Sequence, residues 1–470
     1  MIAIIGGGIS GLSAAWFAQK RGLEYVVLEA SERWGGKLQT ETVVLENGEK
    51  FTVEGGADSF LATKPWAAQL ARELGLGERL LGTNDQLRTI YVLHHGKPTP
   101  LPDGMQLIVP TMLWPFLKSP LLSLPGKLRM GLDWLIPPRT DPTNADETVG
   151  NFVRRRFGQE ALERLGEPLL SGIYSGESER QSLLATFPRY RQLETEFGSI
   201  IRGTRAQKAK QAQENKNGKR PAMFQSFPGG TQELVDGLVE KLTGDLRLNT
   251  AVNRILPLPT SEGYQLALGD GTLITATQVI VTTPASVAAK LLQPIAPRVA
   301  EQLELIRAVS TGTLSLGFRT EDIKRPLNGF GMVIPLREKR PINALTISSI
   351  KFPSRAPDGH ALVRVFFGGS RTPETLEKTD TEILAMAKAQ LEDILGITAE
   401  PLFHRIFRWQ NANPQYDVGH LDRIETLEHS LPPNLYLAGC AYRGVGIPDC
   451  IAQAEQTIAR VLYHHEHTRI

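Results

Sequence analysis

Three glycines in the first dozen residues constrain this chain more than any other feature. Gly6, Gly8 and Gly11 follow the apolar run Ile2 to Ile5 and open a segment of helical periodicity to about Arg21, after which Tyr25 to Leu28 reads as a second buried strand. Strand, glycine turn, helix and strand in that order begin a parallel sheet. Bare backbone at a positive helix end lets a pyrophosphate approach the amides, and Ile9 and Ser10 belong to the same turn. Glu29 ends the second strand eighteen residues after Gly11, with Ala30 beside it. A carboxylate there can take both hydroxyls of an adenosine ribose, and it would repel a 2′-phosphate.

The next segment separates one dinucleotide from another. Arg33, Trp34, Gly35, Gly36 and Lys37 directly follow the ribose carboxylate, so two cations can neutralise pyrophosphate while paired glycines let the loop pass close beneath it. That combination favours FAD over NAD. A second small-residue turn, Gly55 to Ser59, is suited to passing backbone against a flat ring through Gly56, Ala57, Asp58 and Ser59. Near the other end, Leu435 to Ala438 reads as a strand, followed by Gly439, a turn through Val445, Gly446 and Ile447, and a helix from about Pro448. Amides at such a helix start would face the negative edge of a reduced flavin and raise its potential. The expected fold is therefore α/β, with a discontinuous Rossmann-type FAD-binding domain, a mixed-sheet substrate domain and a helical insertion.

Composition excludes other classes. Fifty-two Lys and Arg against fifty Asp and Glu give a net charge of +2, which calls for no nucleic acid. Cys440 and Cys450 suit neither a disulfide framework nor zinc, no metal site is expected, and the Ile2 to Ile5 strand at the start predicts a cytoplasmic address. The most apolar stretch, Leu107 to Leu117, contains Pro110 and Pro115 and is too short to span a bilayer. Thr111 to Ile136 nevertheless mixes Trp114, Phe116, Leu121, Leu122 and Trp134 with Lys118, Lys127 and Arg129, so it reads either as a pocket wall or as a peripheral membrane contact. Ala145 to Leu170 is expected to be helical, capped by Asp146 or Thr148. Arg202 to Arg220 carries seven cations and one acid, read as a solvated helix end and loop. Cys440 reads as packing, because no neighbouring base is visible.

Several longer strings resemble bacterial coproporphyrinogen and protoporphyrinogen oxidases, within the amine oxidase and phytoene desaturase superfamily. They are GADSFLATKP (Gly56 to Pro65), EPLLSGIYSG (Glu167 to Gly176), ATFP (Ala185 to Pro188), WQNANPQYDVGHL (Trp409 to Leu421) and AYRGVGIPDC (Ala441 to Cys450). The resemblance implies an FAD-binding domain of residues 1–75, 225–300 and 405–470, a substrate domain of 76–90, 201–224 and 301–404, and a helical insertion of 91–200 that in some relatives meets a membrane. It implies oxidation of a porphyrinogen by FAD and O2 in haem biosynthesis, with three hydrogen peroxide released and other haem-pathway enzymes as partners. It also implies Val252 against the adenine, Trp409, Gly446 and Ile447 against the flavin, Ala57 to Ser59 near the reacting edge, and Ile173 and Tyr174 at the substrate. The Pro102 to Gln106 stretch lacks the propionate-pairing arginine of membrane-bound relatives, which favours coproporphyrinogen III over protoporphyrinogen IX. A flavin amine oxidase, a carotenoid desaturase and a flavin-free carrier are the rival readings; no catalytic base is assigned, and oligomeric state stays open.

Overall fold

The computed structural model describes residues 1–84, 86–139, 145–214, 222–259, 263–325 and 328–467. Ile2–Ile5 is buried at every position, as a strand covered on both faces must be. It pairs in parallel with Tyr25–Leu28 on one side and Gln278–Val281 on the other. Asp245–Arg247 and Leu435–Leu437 extend the two edges to five parallel strands. Alternation divides the strand between two cores. Ile2 and Ile4 join the helices Ile9–Lys20 and Ile447–His467, whereas Ala3 and Ile5 meet the helix Ala285–Leu292. Asp270 and Gly271, a dipeptide suited to tight hairpins, turn between Tyr264–Leu268 and Leu273–Ala276, with Gly271 at φ +87°.

A second, seven-stranded sheet is mixed. Ala308–Arg319 lies between Phe403–Pro414 and His360–Gly368, followed outward by Ala344–Ile347, Gly331–Val333, Ile90–His94 and Lys97–Pro100. Every neighbouring pair is antiparallel except Gly331–Val333 with Ile90–His94. Two strands lie before residue 101, and Phe403–Pro414 runs across position 404, so this sheet reaches past the boundaries read from the sequence. The helix Asp380–Leu395 packs on it, started by a capping box between Thr379 and Glu382.

The helical region has its own core around Phe152, Val153, Phe157 and Leu165. Thr148 caps Val149–Phe157, its hydroxyl accepting from the Asn151 amide. The single helix expected to Leu170 is broken: Gly158 stands at φ +94°, and Leu162–Ser171 continues as a π-helix containing Pro168. Proline has no N–H to donate to an α-ladder, so the wider turn accommodates it. Arg156 and Asp133, both fully buried, tie the region together. Arg156 Nε donates to Asp133 Oδ1 at 2.6 Å, and Asp133 Oδ2 accepts from Ser199 Oγ at 2.6 Å. Helix Ile200–Glu214 carries the first part of the basic segment; residues 215–221 lie outside the described residues. No described helix is long and apolar enough to cross a membrane.

Candidate active site

The two terminal turns come together at the carboxyl edge of the parallel sheet. In the first, Gly6 stands at φ +112°, and its carbonyl and that of Ile5 both accept from Thr282 Oγ1 at 3.1 and 3.0 Å. A Cβ on Gly11 would lie 1.9 Å from the Gly6 oxygen, so the fold itself requires that glycine. Gly8 differs. Its backbone is ordinary extended chain, φ −74° and ψ 179°, and a Cβ there would approach nothing nearer than Gly36 Cα at 3.9 Å. Neither conformation nor packing explains the bare position, which is the cradle that a close-lying ligand would need. Glu29 is held ready beside it, Oε2 accepting from the Gly7 amide at 2.6 Å and Oε1 from Ser31.

The Arg33 to Lys37 loop is stitched to this turn, the Gly35 amide donating to the Gly7 carbonyl at 2.9 Å. Arg33 donates to the carbonyls of Trp34, Gly36 and Leu38 and lies 5.9 Å from the Trp409 ring centre. Lys37 Nζ reaches the Ala412 carbonyl at 2.7 Å and Cys440 Sγ at 2.9 Å. Cys440, read from the sequence as packing with no neighbouring base, thus has an ammonium beside it.

Gly439, at φ +132°, has Ser10 Oγ and the Thr282 carbonyl as the nearest atoms to a would-be Cβ, at 3.5 and 3.6 Å. The carboxyl-terminal turn thus stands beside the amino-terminal one. Tyr416, almost fully buried, pins it: its hydroxyl donates to the Cys440 carbonyl at 2.7 Å and accepts from the Gly444 amide at 2.8 Å. The helix begins at Ile447, one residue before the expected Pro448, and Asp449 in its first turn is paired to Lys64 at 2.6 Å. Beneath Tyr416, His420 stacks at 4.1 Å, and its Nε2 lies 2.7 Å from the Tyr442 carbonyl. Burial pushes this imidazole down to about 4. Tyr442 itself faces the core.

The Gly55 to Ser59 turn rests on side chains from the seven-stranded sheet. The Gly55 carbonyl accepts three donors: Trp409 Nε1 at 2.8 Å, Arg364 Nη2 at 3.0 Å and Thr313 Oγ1 at 3.1 Å. Arg364 also holds the Gly56 carbonyl at 2.7 Å. Lys351 Nζ bonds both Asp58 oxygens at 2.9 Å and Ser59 Oγ at 3.0 Å, and Arg355 pairs with the buried Glu54 at 2.9 Å. Burial alone would raise the Asp58 carboxyl; Lys351, Arg364 and Ser59 outweigh it and hold it well below the usual carboxylate range. Glu54 goes the other way, raised by burial against the pull of Arg355.

Ile173 is 55% exposed, and the Tyr174 ring lies 5.9 Å from Tyr416, which brings the EPLLSGIYSG string to the carboxyl-terminal turn. The Tyr174 carbonyl accepts from Gln415 Nε2 at 2.9 Å. Val252 lies two residues after Thr250, whose amide bonds the Glu29 carbonyl at 2.8 Å, so it sits at the Glu29 end of the site. Ala30 is exposed at that same end, and Val445 and Gly446 are half-buried in the carboxyl-terminal turn. Sequence reasoning missed Thr282, Tyr416, Lys351 and Arg364. The signal for Arg364 was present: a lone charge in ALVRVFFG, an otherwise apolar strand, must find partners inside the fold.

With this geometry in place, the class follows. The chain belongs to the flavin containing amine oxidoreductase family, whose model matches residues 9–462. It is a flavin oxidoreductase, and the bare Gly8 cradle with the Glu29 carboxylate beside it fits FAD as its cofactor. More particularly, it is 35% identical to coproporphyrinogen III oxidase of Bacillus subtilis, covering 98% of this chain and 97% of that one. It is 31% identical to the chloroplastic protoporphyrinogen oxidase of Oryza sativa, covering 97% and 87%. A crystal structure from Exiguobacterium sp. 255-15 matches at a TM-score of 0.85 and 33% identity over 98% of both chains.

Proposed function

We propose that this protein oxidises a porphyrinogen, coproporphyrinogen III in preference to protoporphyrinogen IX, in haem biosynthesis. The overall reaction removes six electrons and six hydrogens from the macrocycle and gives the aromatic porphyrin, with three O2 reduced to three hydrogen peroxide. The observation that carries this reading is the meeting of the Gly6 to Gly11 and Gly439 to Ile447 turns at one sheet edge, with Tyr174 touching Tyr416 beside the second turn. Bound FAD would supply the two-electron acceptor and, once reduced, the reductant for oxygen. The chain's own residues bind and orient. Gly6, Gly8, Ile9, Ser10 and Gly11 would receive the pyrophosphate, Glu29 the ribose and Val252 the adenine. Arg33, Gly36, Lys37, Gly56 to Ser59, Trp409, Gly439 and Val445 to Ile447 would line the rest of the cofactor. Ile173 and Tyr174 form the candidate substrate wall, holding a C–H bond against the ring, so that proximity rather than a dedicated base provides the rate.

In this reading residues 1–75, 225–300 and 405–470 serve the cofactor, 76–90, 201–224 and 301–404 the substrate, and 91–200 form the insertion. The insertion's exposed Leu113, Trp114, Leu124, Leu128 and Leu135, with Lys118 over Trp114 and with Arg202 and Arg205 over Trp134, support a peripheral contact with an anionic membrane. The names of the relatives support the substrate class, and the Bacillus protein's higher identity supports the coproporphyrinogen preference. The test supplies both porphyrinogens to purified protein, admits air and follows porphyrin fluorescence and peroxide. Faster oxidation of coproporphyrinogen III is expected; inertness towards both overturns the assignment.

A further inference from the structure

Among the described residues, five charged groups lie under the Gly55 to Ser59 turn: the cations Lys351, Arg355 and Arg364, and the carboxylates Glu54 and Asp58. Two pairs close on themselves, Lys351 with Asp58 and Arg355 with Glu54, both at 2.9 Å. The outlying Arg79–Glu233 pair adds nothing to the balance. With Arg364 the bed holds three cations against two carboxylates, and Asp58 and Glu54 are the carboxylates that favour the charged form of Arg364. Its side chain is 2% exposed on the inner strand His360–Gly368, Nη2 bonds only two carbonyls and the Thr313 hydroxyl, and Nε has no acceptor among the described residues. A guanidinium does not give up its proton, so one positive charge is stored directly behind the peptide that Trp409 also holds.

We propose that Arg364 is a positioning residue that fixes the Gly55–Gly56 peptide and raises the reduction potential of the flavin through the net positive charge it gives the bed. The inference rests on the cofactor placement given above, in which Gly56 to Ser59 lie near the reacting edge. A buried charge with no carboxylate at hydrogen-bond range is weakly screened, and it favours the more negative, reduced state of a neighbouring ring. The two carbonyl bonds hold the turn at a fixed height, and the charge sets its potential.

The test uses FAD-bound protein and two readouts, the flavin midpoint potential and the affinity for sulfite, an anion that adds to oxidised flavin more tightly as the potential rises. Arg364→Met should weaken sulfite binding about tenfold, equivalent to about 30 mV for a two-electron couple. Arg364→Lys keeps the charge but loses the paired grip, so its potential should stay near that of the parent while KM rises. Asp58→Asn removes a negative charge and should shift both readouts in the opposite direction to Arg364→Met. Arg364→Met with an unaltered potential overturns the inference while leaving the cofactor assignment intact. If that variant does not fold, an Asp58→Asn protein whose potential fails to rise overturns it equally. Parent protein that binds no FAD would instead overturn the function proposed above.

Discussion

The glycine cradle at the parallel-sheet edge and the charged bed under Gly55 to Ser59 flank one site but are built on opposite principles. The cradle is made of backbone, and its parts come from the first three dozen residues: Gly6, Gly8, Gly11 and the Gly35 and Gly36 pair laid against them. The bed is made of side chains, and its members Glu54, Asp58, Lys351, Arg355 and Arg364 are brought together from two stretches of chain some three hundred residues apart, 54–58 and 351–364. A backbone site tolerates no side chain where the ligand lies, whereas a side-chain site tolerates no missing partner. The two regions should therefore fail differently.

The largest contrast is expected inside the cradle. Gly11→Leu would drive a Cβ onto the Gly6 oxygen and should abolish soluble, cooperatively folded protein, whereas Gly8→Leu should melt like the parent and retain no FAD. Circular dichroism, with FAD-free parent as the reference for Gly8→Leu, and flavin absorbance on the same samples decide, and a yellow Gly8→Leu protein would break the distinction. Next in size, Arg355→Met leaves Glu54 buried without its cation and should cost about 3–5 kcal/mol in urea unfolding. Replacing both partners with apolar residues should recover most of that loss.

His420 sharpens the comparison by pH. Burial depresses it from an ordinary value of about 6.5 to about 4, so the unfolded chain takes up a proton that the folded chain refuses. Its contribution is complete above about pH 6.5 and is lost as pH falls towards 4, by about 3 kcal/mol. His420→Gln should flatten the slope of unfolding free energy over that window, and an unchanged slope would exclude the imidazole as its source. The smallest stability effect belongs to the insertion surface. Leu113→Ser with Trp114→Ser should change stability by no more than about 0.5 kcal/mol each, yet reduce co-sedimentation with anionic vesicles. Equal co-sedimentation would remove the membrane contact.

Much of the parallel-sheet half was legible because its signals are local. A buried strand shows as an unbroken apolar run, a dinucleotide turn as glycines at fixed spacing, and the Asp270–Gly271 hairpin as its dipeptide. The resemblance of the terminal strings extended that reading to Trp409 and the Gly446 turn. The helix expected over 145–170 was less legible, because periodicity does not register what Gly158 and Pro168 do to the hydrogen-bond ladder. Tyr416 was inside a quoted string but without a role, since only folding brings its hydroxyl to the Cys440 carbonyl and the Gly444 amide.

The sequence by itself determined that a strand and helix start near each end of the chain would offer bare backbone amides, and that a carboxylate would close the second strand. Those features depend on φ, ψ and spacing, which neighbouring residues dictate. Only the tertiary structure decided that the two turns lie side by side, that Lys37 meets Cys440, and that Arg364 is buried against the Gly55 and Gly56 carbonyls. Pairing across hundreds of residues depends on which strands become neighbours, and that choice is made by burial of the whole core.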